Sequence, residues 1–129
     1  MTRPVSRKAA RRQALYLLYQ WDLTGQELAS LFEGEPDAFA RSLAEAVAER
    51  AETLDTRISA ASPDWPADRL GTLERNILRI GVYELEEETV PREVAINEAV
   101  VLAKRYASED AAKLVNGILA RVAREEEAA

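Results

Sequence analysis

The chain has 129 residues and a formal net charge of −6, and 47% of its residues are hydrophobic. This length and composition predict a single domain that can bury a core without help from disulfides or metals. Cysteine and histidine are both absent, which excludes disulfides, thiolate nucleophiles, imidazole acid–base chemistry and ordinary zinc sites.

The stretch from residue 6 to residue 24 separates charge from apolar surface more clearly than any other. Residues 1–21 contain five of the 17 basic residues and none of the 23 acidic ones. On a helical wheel one face is apolar, which predicts a helix with a buried stripe made of Ala10, Ala14, Leu17, Leu18 and Trp21. The neighbouring arc carries a basic cluster of Arg7, Lys8, Arg11 and Arg12. This cluster indicates a polyanionic partner such as a phosphate backbone.

Helical patterns also fill the following forty residues. Gly25 predicts the end of the first helix, and a short helix is expected around residues 26–32. A long helix is predicted over residues 37–60. Pro63 and Pro66 then break the chain, because each proline disfavours helix in the residue before it. We therefore expect one domain, 1–129, with helical halves at 1–62 and 63–129.

The second half is predicted to contain three helices. The first, over residues 67–87, has two apolar faces, as expected of a central helix with neighbours on both sides. Gly81 in its interior predicts close approach of another helix. Its remaining strip carries Arg75, Arg79 and Tyr83 at spacings of four residues.

Pro91 is placed to open the next helix, and Ser108 to cap the last one. Gly117 in the last helix is interpreted as a packing residue, and residues 124–129 are expected to fray. Six to seven helices and few glycines or prolines predict an all-α fold. The chain has no apolar run as long as a membrane span, so we expect a cytoplasmic protein.

Four blocks of sequence, in this order, resemble the NusB family of transcription antitermination factors. They are LYQWDL at the end of the arginine-rich first helix, LERNILRIGVYEL at 73–85, PREVAINEAVVLAKRYASED at 91–110 and AKLVNG at 112–117. The resemblance covers nearly the whole chain and is weakest over residues 24–62. It implies an all-α protein of two small helical subdomains packed perpendicular to each other.

The resemblance also implies a function. Members of the family bind boxA-type single-stranded RNA of ribosomal RNA leaders, together with the small-subunit ribosomal protein NusE, within the RNA polymerase antitermination assembly. Carried over to matching positions, RNA-binding residues are expected at Arg7, Lys8, Arg11, Arg12, Tyr19, Asp110 and Lys113. Glu74 matches an acidic residue that faces NusE, while Ala9 and Leu114 depart from the family pattern.

Several assignments keep an alternative. The basic cluster could be a solvated helix end, Tyr19 could belong to the core, and Asp110 with Lys113 could form a surface pair. Arg75, Arg79 and Tyr83 could extend the RNA surface, contact the protein partner, or form an exposed strip in which Arg79 pairs with local carboxylates. A homodimer is the alternative function, with the basic helix masked by an acidic surface at residues 84–88.

We expect no enzyme, no metal and no cofactor. Some ribosomal RNA cytosine methyltransferases carry a NusB-like domain, but this chain is too short for their catalytic part and has no cysteine.

Overall fold

The computed structural model describes residues 5–128, and all regular secondary structure in that range is helical. The α-helices are α1 (Arg7–Thr24), α2 (Ala38–Glu49), α3 (Ala51–Ala61), α4 (Thr72–Glu87), α5 (Arg92–Tyr106) and α6 (Glu109–Ala128). Short 3-10 helices at Leu28–Leu31 and Ala67–Arg69 lie in the connections that precede α2 and α4. The predicted all-α fold is confirmed.

Local signals at both ends explain why α1 forms where it does. The Ser6 hydroxyl accepts a hydrogen bond from the Ala9 amide at 3.1 Å, which satisfies one of the free donors of the first turn. At the other end Gly25 adopts a left-handed conformation with φ 73° and donates its amide to Trp21. The predicted apolar stripe is buried, with Trp21 half-buried at its end.

The long helix predicted over residues 37–60 is wrong, because two helices occupy this stretch and meet at Arg50. Asp37 caps α2 by accepting hydrogen bonds from the Phe39 and Ala40 amides. Arg50 has φ −100° and ψ 11°, which departs from helical geometry for a single residue. Its amide and carbonyl still bond to Ala46 and Leu54, so α2 passes into α3 with little loss of backbone hydrogen bonding.

Helix α4 is the centre of the fold and packs against every other α-helix. Both of its predicted apolar faces are used, and Ile77, Leu78 and Val82 are fully buried. A Cβ atom added at Gly81 would lie 2.7 Å from a terminal carbon of Leu119 in α6, which confirms the predicted close approach. The helix begins at Thr72, after a 3-10 turn, rather than at residue 67.

The last helix continues through Ala128, so the prediction that residues 124–129 fray is wrong for 124–128. Arg57 of α3 donates to Glu126 at 2.7 Å, and Arg92 of α5 lies 2.6 Å from Glu127. These pairs hold the final turns against two other helices. The packing interpretation of Gly117 is also wrong, since a Cβ atom there would meet nothing within 4 Å.

Candidate nucleic-acid interface

Three of the four residues of the basic cluster lie at the surface of α1. The Arg7 guanidinium stacks 3.8 Å from the centre of the Phe39 ring, and its charge stays exposed. The Lys8 side chain is 66% exposed, with its ammonium 3.7 Å from Glu98 of α5. Arg12 is half-buried, and residues 5–128 offer it no carboxylate partner. We call Arg7, Lys8 and Arg12 the basic surface.

The fourth member, Arg11, is not at the surface, which contradicts the expectation that it presents charge to RNA. It is 3% exposed and donates from Nε and Nη2 to the two carboxylate oxygens of Glu84, each at 2.9 Å. These hydrogen bonds raise the pKa of Arg11 above its ordinary value, against the opposing effect of burial. The physical reason is register: Leu15 and Leu18 follow Arg11 at four and seven residues and share its buried face.

Tyr19 lies between the core and the solvent. It is half-buried and lines an open cleft of about 330 Å³ beside the basic surface. We call this the tyrosine cleft, and its lining residues are Arg12, Leu15, Tyr16, Tyr19, Leu73 and Tyr106. An apolar cleft with three aromatic rings next to an arginine can stack unpaired bases while phosphates meet the cation.

Sequence reasoning missed two residues of the tyrosine cleft. Tyr16 is 61% exposed and Tyr106 is 43% exposed. Tyr16 stands four residues after Arg12, so helical spacing alone could have joined it to the basic surface. Tyr106 ends α5, and only the fold brings it against α1.

Asp110 and Lys113, the residues predicted at the start of α6, are exposed. They follow the cleft residue Tyr106 closely in sequence. Ser108 caps the helix by accepting the Ala111 amide at 3.0 Å, two residues after Tyr106. Asp110 and Lys113 are both exposed, and the described residues give neither an ion-pair partner. The alternative in which Asp110 and Lys113 form a surface ion pair is therefore wrong. Leu114, which departs from the family pattern, packs half-buried against the core.

The three residues expected to bind a protein partner do not share one surface. Glu74 is half-buried and folds back over Gly71 in the first turn of α4. Tyr83 stands nine residues later, which places it roughly 180° around the helix. It lines a separate small cleft with Phe39. Arg75 is bound internally, since it contacts Asp22 at 2.9 Å and donates to the Ala67 and Leu70 carbonyls.

A buried polar network removes Arg79 from the strip on α4 that one alternative placed at the surface, and its carboxylate partners lie on α3 and α1. Arg79 is 5% exposed and donates to both oxygens of Asp55 in α3, at 2.7 and 2.6 Å. Asp22 of α1 accepts from Arg79, Arg75 and Asn76, each at 3.0 Å. Burial alone would lower the pKa of Arg79, but the two carboxylates raise it above its ordinary value. The network joins α1, α3 and α4.

Two other kinds of feature would bear on function, a metal site and a membrane-spanning helix. Among residues 5–128 no group of three or more acidic side chains is arranged to hold a metal ion. None of the helices in that range is both long enough and apolar enough to span a bilayer.

Comparison with known proteins agrees with the all-α fold. The model of the NusB family matches residues 8–124. The transcription antitermination protein NusB of Rubrobacter xylanophilus is 39% identical over 122 residues, covering 89% of this chain and 88% of that protein. The Myxococcus xanthus NusB is 37% identical over 132 residues, covering 92% of this chain and 94% of that protein.

Solved structures are similar over the same range. NusB from T. maritima superposes with a TM-score of 0.84 at 33% identity, covering 95% of this chain and 94% of that one. A crystal structure of antitermination factors NusB and NusE in complex with dsRNA matches with a TM-score of 0.80 at 34% identity, covering 92% of this chain and 96% of that one. The chain therefore belongs to the NusB family.

Proposed function

We propose that this protein is an RNA-binding transcription antitermination factor. It binds boxA-type single-stranded RNA of ribosomal RNA operons together with the ribosomal protein NusE, as part of an RNA polymerase antitermination complex. The observation that carries this proposal is the basic surface beside the tyrosine cleft, in a chain of the NusB family. The mechanism is assembly of macromolecules without bond chemistry, and the place of action is the cytoplasm.

The RNA contacts in this proposal divide by chemistry. Arg7, Lys8 and Arg12 neutralise phosphates, which supplies affinity that falls as salt rises. Tyr19 provides a ring on which a base can stack. At the start of α6 Lys113 adds a cation, while the Asp110 carboxylate repels phosphate and would accept from a base edge.

For NusE we propose the surface around Glu74 at the start of α4. Leu73 next to it lines the tyrosine cleft, so a protein there would lie close to bound RNA. Contact between the two ligands would make each strengthen the binding of the other. Tyr83 lies on the far side of α4 and Arg75 is held by Asp22, so we assign them no direct part in this contact. We also propose that 1–62 and 63–129 act as two halves of one domain.

RNA binding at several salt concentrations tests the proposal, with a boxA-like strand compared against a scrambled one. For single strands the logarithm of the binding constant falls by about 0.7 per neutralised phosphate for each tenfold rise in salt. Alanine at Arg7, Lys8 and Arg12 together should flatten the slope by about 2. The matched control removes three exposed charges elsewhere, at Arg69, Arg121 and Arg124. A triple variant with wild-type affinity and slope would refute the site.

The homodimer alternative predicts a different result. Glu84 cannot take part in an acidic dimer surface, because it is buried against Arg11 of its own chain. Mass in solution at low and high salt, with and without RNA, separates the two functions. A dimer that RNA does not dissociate would favour the alternative.

A further inference from the structure

Arg11 differs from its basic neighbours in both burial and partner. We propose that Arg11 is a positioning residue, which fixes the rotation of α1 through Glu84 and so directs Arg7, Lys8 and Arg12 toward RNA without touching a phosphate itself. This inference rests on the proposed RNA-binding function and explains what holds the basic surface in position.

In the first two turns of α1, the Arg11–Glu84 pair is the main contact that fixes the rotation of the helix about its axis. Between residues 7 and 14 the buried positions are Ala10, Arg11 and Ala14. Alanine side chains are small and symmetric, so they fix a helix rotation weakly. The guanidinium of Arg11 is planar and meets both oxygens of Glu84 at 2.9 Å, and this two-point contact permits one orientation.

Charge reaches the same region from a second helix. Glu98 of α5 is largely buried and lies 3.7 Å from Lys8, the residue one turn before Arg12. Its charge also acts on Arg11. The start of α1 is thus held by carboxylates from both α4 and α5, and Lys8 of the basic surface itself pairs with the carboxylate from α5.

Arg11 cannot leave this pair at low cost. Glu84 is 2% exposed. If Arg11 turned toward a phosphate, the Glu84 carboxylate would stay buried without a partner, which is costly. Among the described residues neither Arg7 nor Arg12 has a carboxylate partner to give up, whereas Lys8 would leave Glu98. The four basic residues are therefore not equivalent, although they are neighbours on the helix.

The first test replaces the pair with neutral residues of similar size, Arg11→Met with Glu84→Gln, so that no buried charge is left unpaired. We expect RNA affinity to fall on the order of tenfold, as for outer-shell partners of other binding sites, while the salt slope stays at the wild-type value. Arg12→Ala should lower both affinity and slope, the slope by about 0.7. Circular dichroism establishes that the variants are folded at the assay temperature.

A second variant keeps the positive charge at position 11 and removes the two-point contact with Glu84. Arg11→Lys retains a cation but offers a point donor in place of the planar fork. We expect a loss of RNA affinity close to that of the neutral pair, whereas Arg121→Lys on the exposed face of α6 should change nothing. If Arg11 contacted phosphate as a charge, Arg11→Lys would bind almost as well as the wild type.

Measurement on the unaltered protein covers the case in which the variants do not fold. The Nε–H of Arg11 should exchange slowly with water, and equally slowly when boxA-like RNA is added, in nitrogen-edited NMR spectra. Faster exchange of Arg11 on RNA binding would overturn the inference. So would a folded neutral pair that binds like the wild type, or one whose slope falls by about 0.7. Failure of the proposed function is distinct, because wild-type protein would then show no preference for boxA-like RNA.

Discussion

The arginine side chains divide into two groups according to whether a carboxylate holds them in the interior. Arg11 and Arg79 are almost fully buried and form two-point contacts with Glu84 and Asp55. Arg7, by contrast, is exposed at the start of α1. The partners of the buried arginines are 73 and 24 residues away, so no local pattern could predict which arginines are buried.

Removal of Arg79 should destabilise the protein strongly. Arg79→Met leaves Asp55 partly buried without its cation and leaves Asp22 with Arg75 alone, and we expect the free energy of unfolding to fall by about 3 kcal/mol. The matched control is Arg121→Met, which breaks an exposed pair with Glu125 and should cost about 0.5 kcal/mol or less. Chemical denaturation monitored by circular dichroism measures both. Equal effects would contradict a structural role for the buried network.

Glu86 should make the stability depend on pH in an unusual direction. Burial, with a smaller effect from the charge of Glu126, raises the pKa of Glu86 above its ordinary value. Above that ordinary value the folded state holds a proton that the unfolded state has lost, so the contribution of Glu86 to stability decreases as pH rises through this window.

Glu86→Gln, which mimics the protonated acid, should therefore melt at a higher temperature than the wild type near pH 7. The difference should shrink below the ordinary pKa of a glutamate, about 4.3. Melting temperatures between pH 4 and pH 7 test this, with Glu35→Gln in the exposed loop before α2 as control. A Glu86→Gln variant less stable than the wild type at pH 7 would rule out the argument.

At the scale of helices, the sequence predicts what local chemistry controls. The start and end of α1 follow from Ser6 and Gly25, and its buried stripe follows from apolar spacing. The break between α2 and α3 at Arg50 was missed because no proline or glycine marks it and the backbone hydrogen bonding continues across it. The ordered end of α6 was missed because it depends on Arg57, which is 69 residues from Glu126.

Two glycines in helices should respond to alanine with opposite signs. Gly81→Ala places a methyl group 2.7 Å from buried Leu119, and the crowding should exceed the gain in helix propensity by about 1 kcal/mol. Gly117→Ala enters open space and should stabilise the protein by up to about 1 kcal/mol. Urea denaturation of both variants measures the difference. A stabilised Gly81→Ala would mean that α4 and α6 can separate freely.

At the scale of the whole molecule, α1 and α4 form an antiparallel pair that links the two halves of the chain. Arg11 near the start of α1 meets Glu84 near the end of α4, and Asp22 near the end of α1 meets Arg75 near the start of α4. At one end α1 supplies the cation and α4 the carboxylate, and at the other end these roles are reversed. This arrangement favours one alignment of α1 along α4. The apolar core is continuous and contains residues from both halves.

This continuity predicts a single unfolding transition. Trp21 packs against the core at the end of α1, whereas far-UV circular dichroism reports on all the helices. Urea curves from tryptophan fluorescence and from circular dichroism should coincide. The exposed Trp65 also contributes fluorescence, so Trp65→Phe isolates the signal of Trp21. A fluorescence transition at lower urea would show that α1 detaches before the rest unfolds.

The candidate site could be predicted in part, for similar reasons. Charge along one helix indicated the basic surface, because Arg7, Lys8 and Arg12 are close in sequence. Tyr106 could not be added, because it reaches the tyrosine cleft only when α1 and α5 both pack against α4. The exclusion of Arg11 likewise required the position of Glu84 in three dimensions.

The separation of 73 residues between Arg11 and Glu84 has a consequence for synthesis on the ribosome. At about 5–20 residues per second, the chain grows for about 4–15 seconds after Arg11 is added before its partner exists. During that time the N-terminal segment carries its cationic residues without the carboxylates of α4 and α5. A chain interrupted before residue 84 would therefore expose the apolar stripe of α1 and one more positive charge, and should bind polyanions less selectively than the complete protein.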